Sequence, residues 1–165
     1  MIEDRAAERD FVLRSAQEND VKFIRLWFTD ILGNLKGFAI TVEDLQDAIE
    51  QGVGFDGASV EGFARINESD MRAFPDPTTF TLLPWRPRQN AVARMFCDIR
   101  SPNGDPFAGD PRFVLKRNLE RLSGMGYTYY VGPEIEYFYF KDSRSTEPLD
   151  EGGYFDQEAS DAATE

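Results

Sequence analysis

The stretch Val21-Lys22-Phe23-Ile24-Arg25-Leu26-Trp27-Phe28-Thr29-Asp30-Ile31-Leu32-Gly33-Asn34-Leu35-Lys36-Gly37-Phe38-Ala39-Ile40-Thr41 decides the fold. Its first eight residues are rich in β-branched and aromatic side chains, which suit a pleated, half-buried surface. Thr29 to Asn34 bring Asp, Gly and Asn together, which is turn chemistry, and residues 35–40 resume the apolar pattern. The pattern predicts a β-hairpin. Thr41 then offers an N-cap, and Val42, Leu45, Ala48 and Ile49 share one helical face until Gly52 and Gly54. Two strands followed at once by a helix open a compact α+β domain, the fold class expected here.

On the N-terminal side, residues 3–18 carry Ala6, Ala7, Phe11, Val12 and Ala16 between charges, the spacing of a short amphipathic helix. On the other side, Phe55 to Pro77 has no regular period and ends in two prolines. A long ordered loop is expected, because Phe55, Phe63 and Phe74 argue against disorder. Residues 79–83 and 91–99 read as strands joined through Pro84-Trp85-Arg86-Pro87. Asp110-Pro111 marks a helix start, with apolar positions at Phe113, Val114, Leu115, Leu119 and Leu122 before Gly124 and Gly126. Residues 127–131 and 135–140 read as two more strands about Gly132-Pro133. A strand pair at a chain edge is marginal without cover. The last third is therefore expected to begin a second domain.

A length of 165 residues suits one domain or one domain and part of another, at about 150 residues each. No run approaches the roughly 18 apolar residues of a membrane span, and Met1-Ile2-Glu3-Asp4-Arg5 lacks an apolar signal core. No membrane partner is expected. The single Cys97 lies in an apolar run and has no possible disulfide mate, so a buried inert thiol and a reducing cytoplasmic home are expected. A net charge of −12 argues against nucleic acid, whose phosphates need a positive surface. Residues 134–165 hold ten acids against Lys141 and Arg144. They form either a solvated acidic tail or a segment whose acids meet cations. With no His anywhere, a metal site would be built from carboxylates and suit a hard ion, Mg²⁺ or Mn²⁺.

Glu134-Ile135-Glu136 opens the apolar run Tyr137-Phe138-Tyr139-Phe140. In a strand, positions i and i+2 share a face, so two carboxylates about 7 Å apart would point the same way and repel. Either this end of the strand is wet, or each carboxylate holds a divalent ion beside a phosphoryl group. Phe55-Asp56-Gly57-Ala58-Ser59 has the same ambiguity. Asp-Gly is first of all turn chemistry; alternatively Asp56 holds or deprotonates a cationic substrate group, with Ser59 as its hydrogen-bonding neighbour. Glu68-Ser69-Asp70-Met71 and Pro75-Asp76-Pro77 read as structural.

Five segments taken together resemble the bacterial type I glutamine synthetase family. They are Arg25-Leu26-Trp27-Phe28-Thr29-Asp30-Ile31-Leu32-Gly33, Phe55-Asp56-Gly57-Ala58-Ser59, Ile66-Asn67-Glu68-Ser69-Asp70-Met71, Asp110-Pro111-Arg112 and Gly132-Pro133-Glu134-Ile135-Glu136-Tyr137-Phe138. All occur in the family's order, and the resemblance covers essentially the whole chain. It implies a β-grasp N-terminal domain over residues 1–101 and, over 102–165, the first strands and helix of a catalytic domain that continues further in the family. The nucleotide site, a His metal ligand and the glutamate-binding Arg residues belong to that continuation. The 165 residues alone are therefore expected to be inactive.

The resemblance also implies residue roles. Glu134 and Glu136 look like ligands of two different divalent ions, Mg²⁺ or Mn²⁺. Asp56 looks like the residue that binds and deprotonates ammonium, with Ser59 beside it. Ala58 departs from the family, which usually has a second Ser there. The implied reaction consumes glutamate, ammonium and ATP and passes through γ-glutamyl phosphate. The implied assembly is a homo-oligomer, a dodecamer of two six-membered rings. Two other function classes stay open: a ligase that joins glutamate to a polyamine or other amine, and a non-catalytic β-grasp interaction module.

Overall fold

The computed structural model describes residues 2–60 and 70–152, with residues 2–5 and Ser59 described in their backbone only. The chain divides into two compact units, Met1–Thr128 and Tyr129–Glu165. In the first unit α1 (Ile2–Glu18) leads into β1 (Val21–Thr29) and β2 (Leu35–Thr41). α2 (Leu45–Gln51), β3 (Val53–Asp56), β4 (Asp70–Pro75), β5 (Thr81–Leu82), β6 (Ala91–Arg100) and α3 (Pro111–Gly124) follow.

The expected hairpin forms: β1 and β2 are antiparallel, with Phe23 opposite Thr41 and Thr29 opposite Leu35. Its turn is organised by Asp30, which is wholly buried and accepts from the amides of Leu32 and Asn34 at 2.9 Å and from Asn34 Nδ2 at 3.0 Å. Gly33 takes the left-handed conformation that closes the turn (φ 83°). Burial opposes the charge on Asp30, but these hydrogen bonds and Lys36 hold its carboxyl below the usual carboxylate value.

Strand order is β2-β1-β6-β4-β3, with β5 also paired to β6. β1 and β6 are parallel, and the other pairs are antiparallel. Buried between neighbours, β1 and β6 supply the centre of the core: Ile24, Leu26, Ala93, Met95 and Cys97 are fully buried. Each large side chain among them contributes about 1.5–3 kcal/mol by leaving water. α1 adds Val12 and Ala16, and α2 adds Leu45 and Ala48, to the same cluster. The start of β6 is pinned beside β1 by Asp20, whose carboxylate accepts from the Asn90 amide at 2.8 Å and whose carbonyl accepts from Ala91 at 2.9 Å.

Three sequence expectations are corrected. The long loop expected from Phe55 to Pro77 contains the end of β3 and all of β4. The period-two pattern of Asp70-Met71-Arg72-Ala73-Phe74, buried at Met71 and Ala73, was the signal for β4. Thr41 does not cap α2 through the backbone; its hydroxyl binds the Asp44 carboxylate at 2.7 Å, and a 3₁₀ turn over Val42–Asp44 precedes the helix. Residues 127–131 and 135–140 do not form strands; among the described residues the only ladder contact there is an isolated bridge from Phe140 to Pro148. Their aromatic composition favours a pleated surface, but a strand exists only with a neighbour to share its hydrogen bonds. Residues 154–156 and most of the Ile66-to-Met71 motif lie outside the described residues.

Candidate functional site

Asp56 is exposed by strand alternation. Phe55 turns inward against Phe28 and Phe38, at ring-centroid distances of 5.1 and 5.9 Å, which anchors β3 to the core. The next residue therefore points outward, and Asp56 is solvent-exposed. Its Oδ1 accepts from the Ala58 amide at 2.9 Å and caps the 3₁₀ turn Gly57–Ser59. The Val60 amide closes that turn onto the Gly57 carbonyl at 3.0 Å, and Val60 itself is buried. A charged oxygen is thus held in place by a short turn with buried ends. Ser59 belongs to the same turn through its backbone; its side chain lies outside the described residues.

Glu134 and Glu136 belong to the other unit. Both are exposed, and neither lies in a strand, so the shared-face argument made from the sequence does not hold. As hard oxygen donors they fit Mg²⁺ or Mn²⁺ in kind. In number they fall short of a shell of about six oxygens. Among the described residues no group of three His, Cys, Asp or Glu is arranged to hold an ion. Each can therefore supply one ligand, with the rest coming from elsewhere.

A second polar cluster was not legible in the sequence. Asp110 is wholly buried at the start of α3, where one oxygen caps the helix at Arg112 N and the other accepts from the Ile99 amide of β6, both at 3.0 Å. Burial pushes its carboxyl above the usual value despite those bonds. Arg112 donates to Asp76 Oδ2 at 2.6 Å and to Asp98 Oδ1 at 2.8 Å, and Lys116 reaches Asp98 Oδ2 at 2.6 Å. Asp76 also accepts from the amide and hydroxyl of Thr78. The structural reading of Pro75-Asp76-Pro77 agrees with this network, which ties α3 to β6 and to the chain after β4. Cys97, wholly buried in β6, has its thiol pKa pushed up by burial and then by Asp98, the state of an inert thiol.

Among the described residues no helix is long and apolar enough to cross a membrane. Comparison with known proteins agrees with the motifs. The sequence matches the family described as glutamine synthetase, beta-Grasp domain, over residues 20–102, and that described as glutamine synthetase, catalytic domain, over residues 108–165. The glutamine synthetase of Mycolicibacterium smegmatis is 52% identical over 162 residues, which cover 94% of this chain and 36% of that protein. A solved GmaS/ADP complex is 29% identical with a TM-score of 0.63, over 69% of this chain and 26% of that one. Glutamine synthetase of Plasmodium falciparum, solved by cryo-EM, shares the fold at 24% identity with a TM-score of 0.64, over 74% of this chain and 23% of that one. The chain spans about a third of the length of the curated relatives it matches. The β-grasp match covers the sheet and α2, and the catalytic-domain match covers α3 and the segment bearing Glu134 and Glu136. The chain belongs to the glutamine synthetase family.

Proposed function

We propose that this chain is the N-terminal part of an ATP-dependent ligase that makes glutamine from glutamate and ammonia in the cytoplasm. Its β-grasp domain occupies residues 1–101, and its catalytic domain begins at residue 102. The observation that carries the reading is Asp56, an exposed carboxylate held by the Ala58 amide in a capped turn of a chain from this family. In the reaction the γ-carboxylate of glutamate attacks the γ-phosphorus of ATP and ADP leaves. Ammonia then attacks the acyl carbon of γ-glutamyl phosphate, and phosphate leaves with the C–O bonding pair.

Ammonium is the abundant form at pH 7 and has no lone pair. A carboxylate at Asp56 attracts the cation and accepts the proton it must lose to become a nucleophile. Ser59 supplies a hydrogen bond beside it. Glu134 and Glu136 each give an oxygen ligand to a different divalent ion, Mg²⁺ or Mn²⁺. Bound there, the ions neutralise phosphate charge during transfer. The assembly belonging to this reading is a homo-oligomeric dodecamer.

The test uses the enzyme with its whole catalytic domain. Asp56→Asn keeps the size of the side chain but removes the charge and the proton acceptor, so amide synthesis should be lost while slow glutamate-dependent ATP hydrolysis remains. Glu134→Gln and Glu136→Gln should lose both. Full amide synthesis by Asp56→Asn would overturn the assignment. Offered ammonium, putrescine and spermidine at equal concentration, the enzyme should prefer ammonium. A tenfold preference for a polyamine would place it among ligases of larger amines, and no ligase activity at all would leave an interaction module.

A further inference from the structure

A cavity of about 540 Å³ is enclosed by residues of α1, α2, the ends of β4 and β6, and α3, all within the first unit. Ala6, Ile49, Phe74, Pro75 and Pro77 give it an apolar lining. Most of the charged groups around it are already committed. Arg9 pairs with Glu50 at 2.9 Å, Lys116 with Asp98 at 2.6 Å, and Asp76 takes Arg112 at 2.6 Å. Arg100 and Glu8 are left over. Both line the cavity and are half-buried, and among the described residues neither has a hydrogen bond or ion pair, with the other or with any third group. The Arg100 guanidinium sits 4.3 Å from the centroid of the Phe74 ring. Across the β4–β6 ladder it is directly opposed to Arg72, which spends its own donors on the carbonyls of Gln51 and Gly52. Like charges so opposed are destabilising, and the nearest carboxylate on its own strand, Asp98, is taken by Arg112 and Lys116. A half-buried charge without a partner is costly. One cavity that carries such a charge of each sign, the cation on β6 and the anion on α1, suits a ligand that carries both.

We propose that this cavity binds a small zwitterion with an apolar body, an amino acid whose carboxylate is held by Arg100 and whose ammonium is held by Glu8. A guanidinium seated on an aromatic ring keeps N–H donors at its rim, and these match a carboxylate through two parallel bonds. The ammonium donates to the Glu8 carboxylate, and the hydrocarbon part rests on Ile49, Phe74, Pro75 and Pro77. The volume lies within the roughly 300–1,000 Å³ of small-molecule sites. Asp56, Glu134 and Glu136 do not line this cavity, so the proposal stands independently of the reaction assigned to them.

The experiment titrates this chain with leucine and with ε-aminocaproate, two zwitterions of different charge spacing, and follows the backbone amides by NMR. Isocaproate and caproate, which lack the ammonium, and isoamylamine and pentylamine, which lack the carboxylate, are the comparison ligands. At least one zwitterion should bind saturably and shift the amides of residues 6–9, 49–50 and 98–100. Its two analogues should each bind about tenfold more weakly, the usual worth of a hydrogen bond to a charged group. Arg100→Gln should weaken the zwitterion about tenfold and leave the amine analogue unchanged. Glu8→Gln should weaken it about as much and leave the carboxylate analogue unchanged. The ligand comparison on the parent decides the matter even if a variant does not fold. Absence of saturable binding by either zwitterion up to about 10 mM would overturn the inference. So would analogues that bind as tightly as the zwitterion, or folded Arg100→Gln and Glu8→Gln variants that bind it like the parent.

Discussion

The carboxylate of Asp110 accepts the amide of Ile99 at 3.0 Å, so the buried cap of α3 is fastened to the last strand of the sheet. The helix that begins the match to the catalytic domain is thereby joined to the end of the match to the β-grasp domain. No residue of α3 is fully buried. Polar contacts at its start therefore carry much of its attachment.

Asp110→Ala removes the cap and leaves the Ile99 amide without its partner in a buried place. Loss of a cap costs about 1 kcal/mol, and an orphaned buried amide about 1–3 kcal/mol. Urea unfolding of this chain should show a loss of about 2–4 kcal/mol. Asp110→Asn keeps one acceptor oxygen and should lose less. Equal stability of the alanine variant and the parent would refute the role.

Acid should weaken the α3 attachment through Asp76. Burial alone would raise its carboxyl, but hydrogen bonds from Arg112 and Thr78, with the charges of Arg112 and Lys116, hold it below the ordinary value of about 3.9. A carboxyl depressed by folding stabilises above its unfolded value, and that stability is lost as pH falls through the folded one. Unfolding free energies taken at about pH 5 and about pH 2.5 should therefore fall more steeply for the parent than for Arg112→Ala. Parallel pH profiles would remove the ion pair from the account.

Gly37 faces Trp27 across the hairpin. A Cβ added there would press on the Leu26 carbonyl oxygen and lie 2.9 Å from Trp27 Cδ1. Backbone of a paired strand cannot step aside as a flexible side chain can, so Gly37→Ala should destabilise by about 1–3 kcal/mol. Gly54, with open space at its Cβ position, is the control. Thermal unfolding in which both variants behave alike would contradict the close approach.

Cys97 should not react with a thiol reagent at pH 8 while the chain is folded, because burial both excludes the reagent and disfavours the thiolate. In denaturant one thiol per chain should titrate. Stoichiometric labelling under native conditions, faster than unfolding, would place the residue at the surface.

Local chemistry in the sequence was enough for the elements whose pattern is self-contained. The β1–β2 hairpin follows from two apolar runs about an Asp-Gly-Asn turn, α1 and β6 from their periods, and the start of α3 from Asp110-Pro111. The motifs identified the family, because ordered short matches need no knowledge of packing. What pairs with what was decided only by tertiary structure. β4 became a strand by laying Phe74 opposite Asp98 of β6, a residue far along the chain. Residues 127–140, as rich in aromatics as any strand here, have no partner of that kind among the described residues and form none. The charged groups divide in the same way. Asp30 and Asp110 read in the sequence as a turn residue and a helix start; that both are buried follows from the amides that converge on them, Leu32 and Asn34 on the first, Ile99 and Arg112 on the second. Asp56 was recognisable as a candidate from its motif, but only the register of β3 on β4 sets Asp70 against it. Periodicity and turn preferences act over a few residues and can be read in order. Ladder register and the burial of a charge depend on residues brought together by the whole sheet.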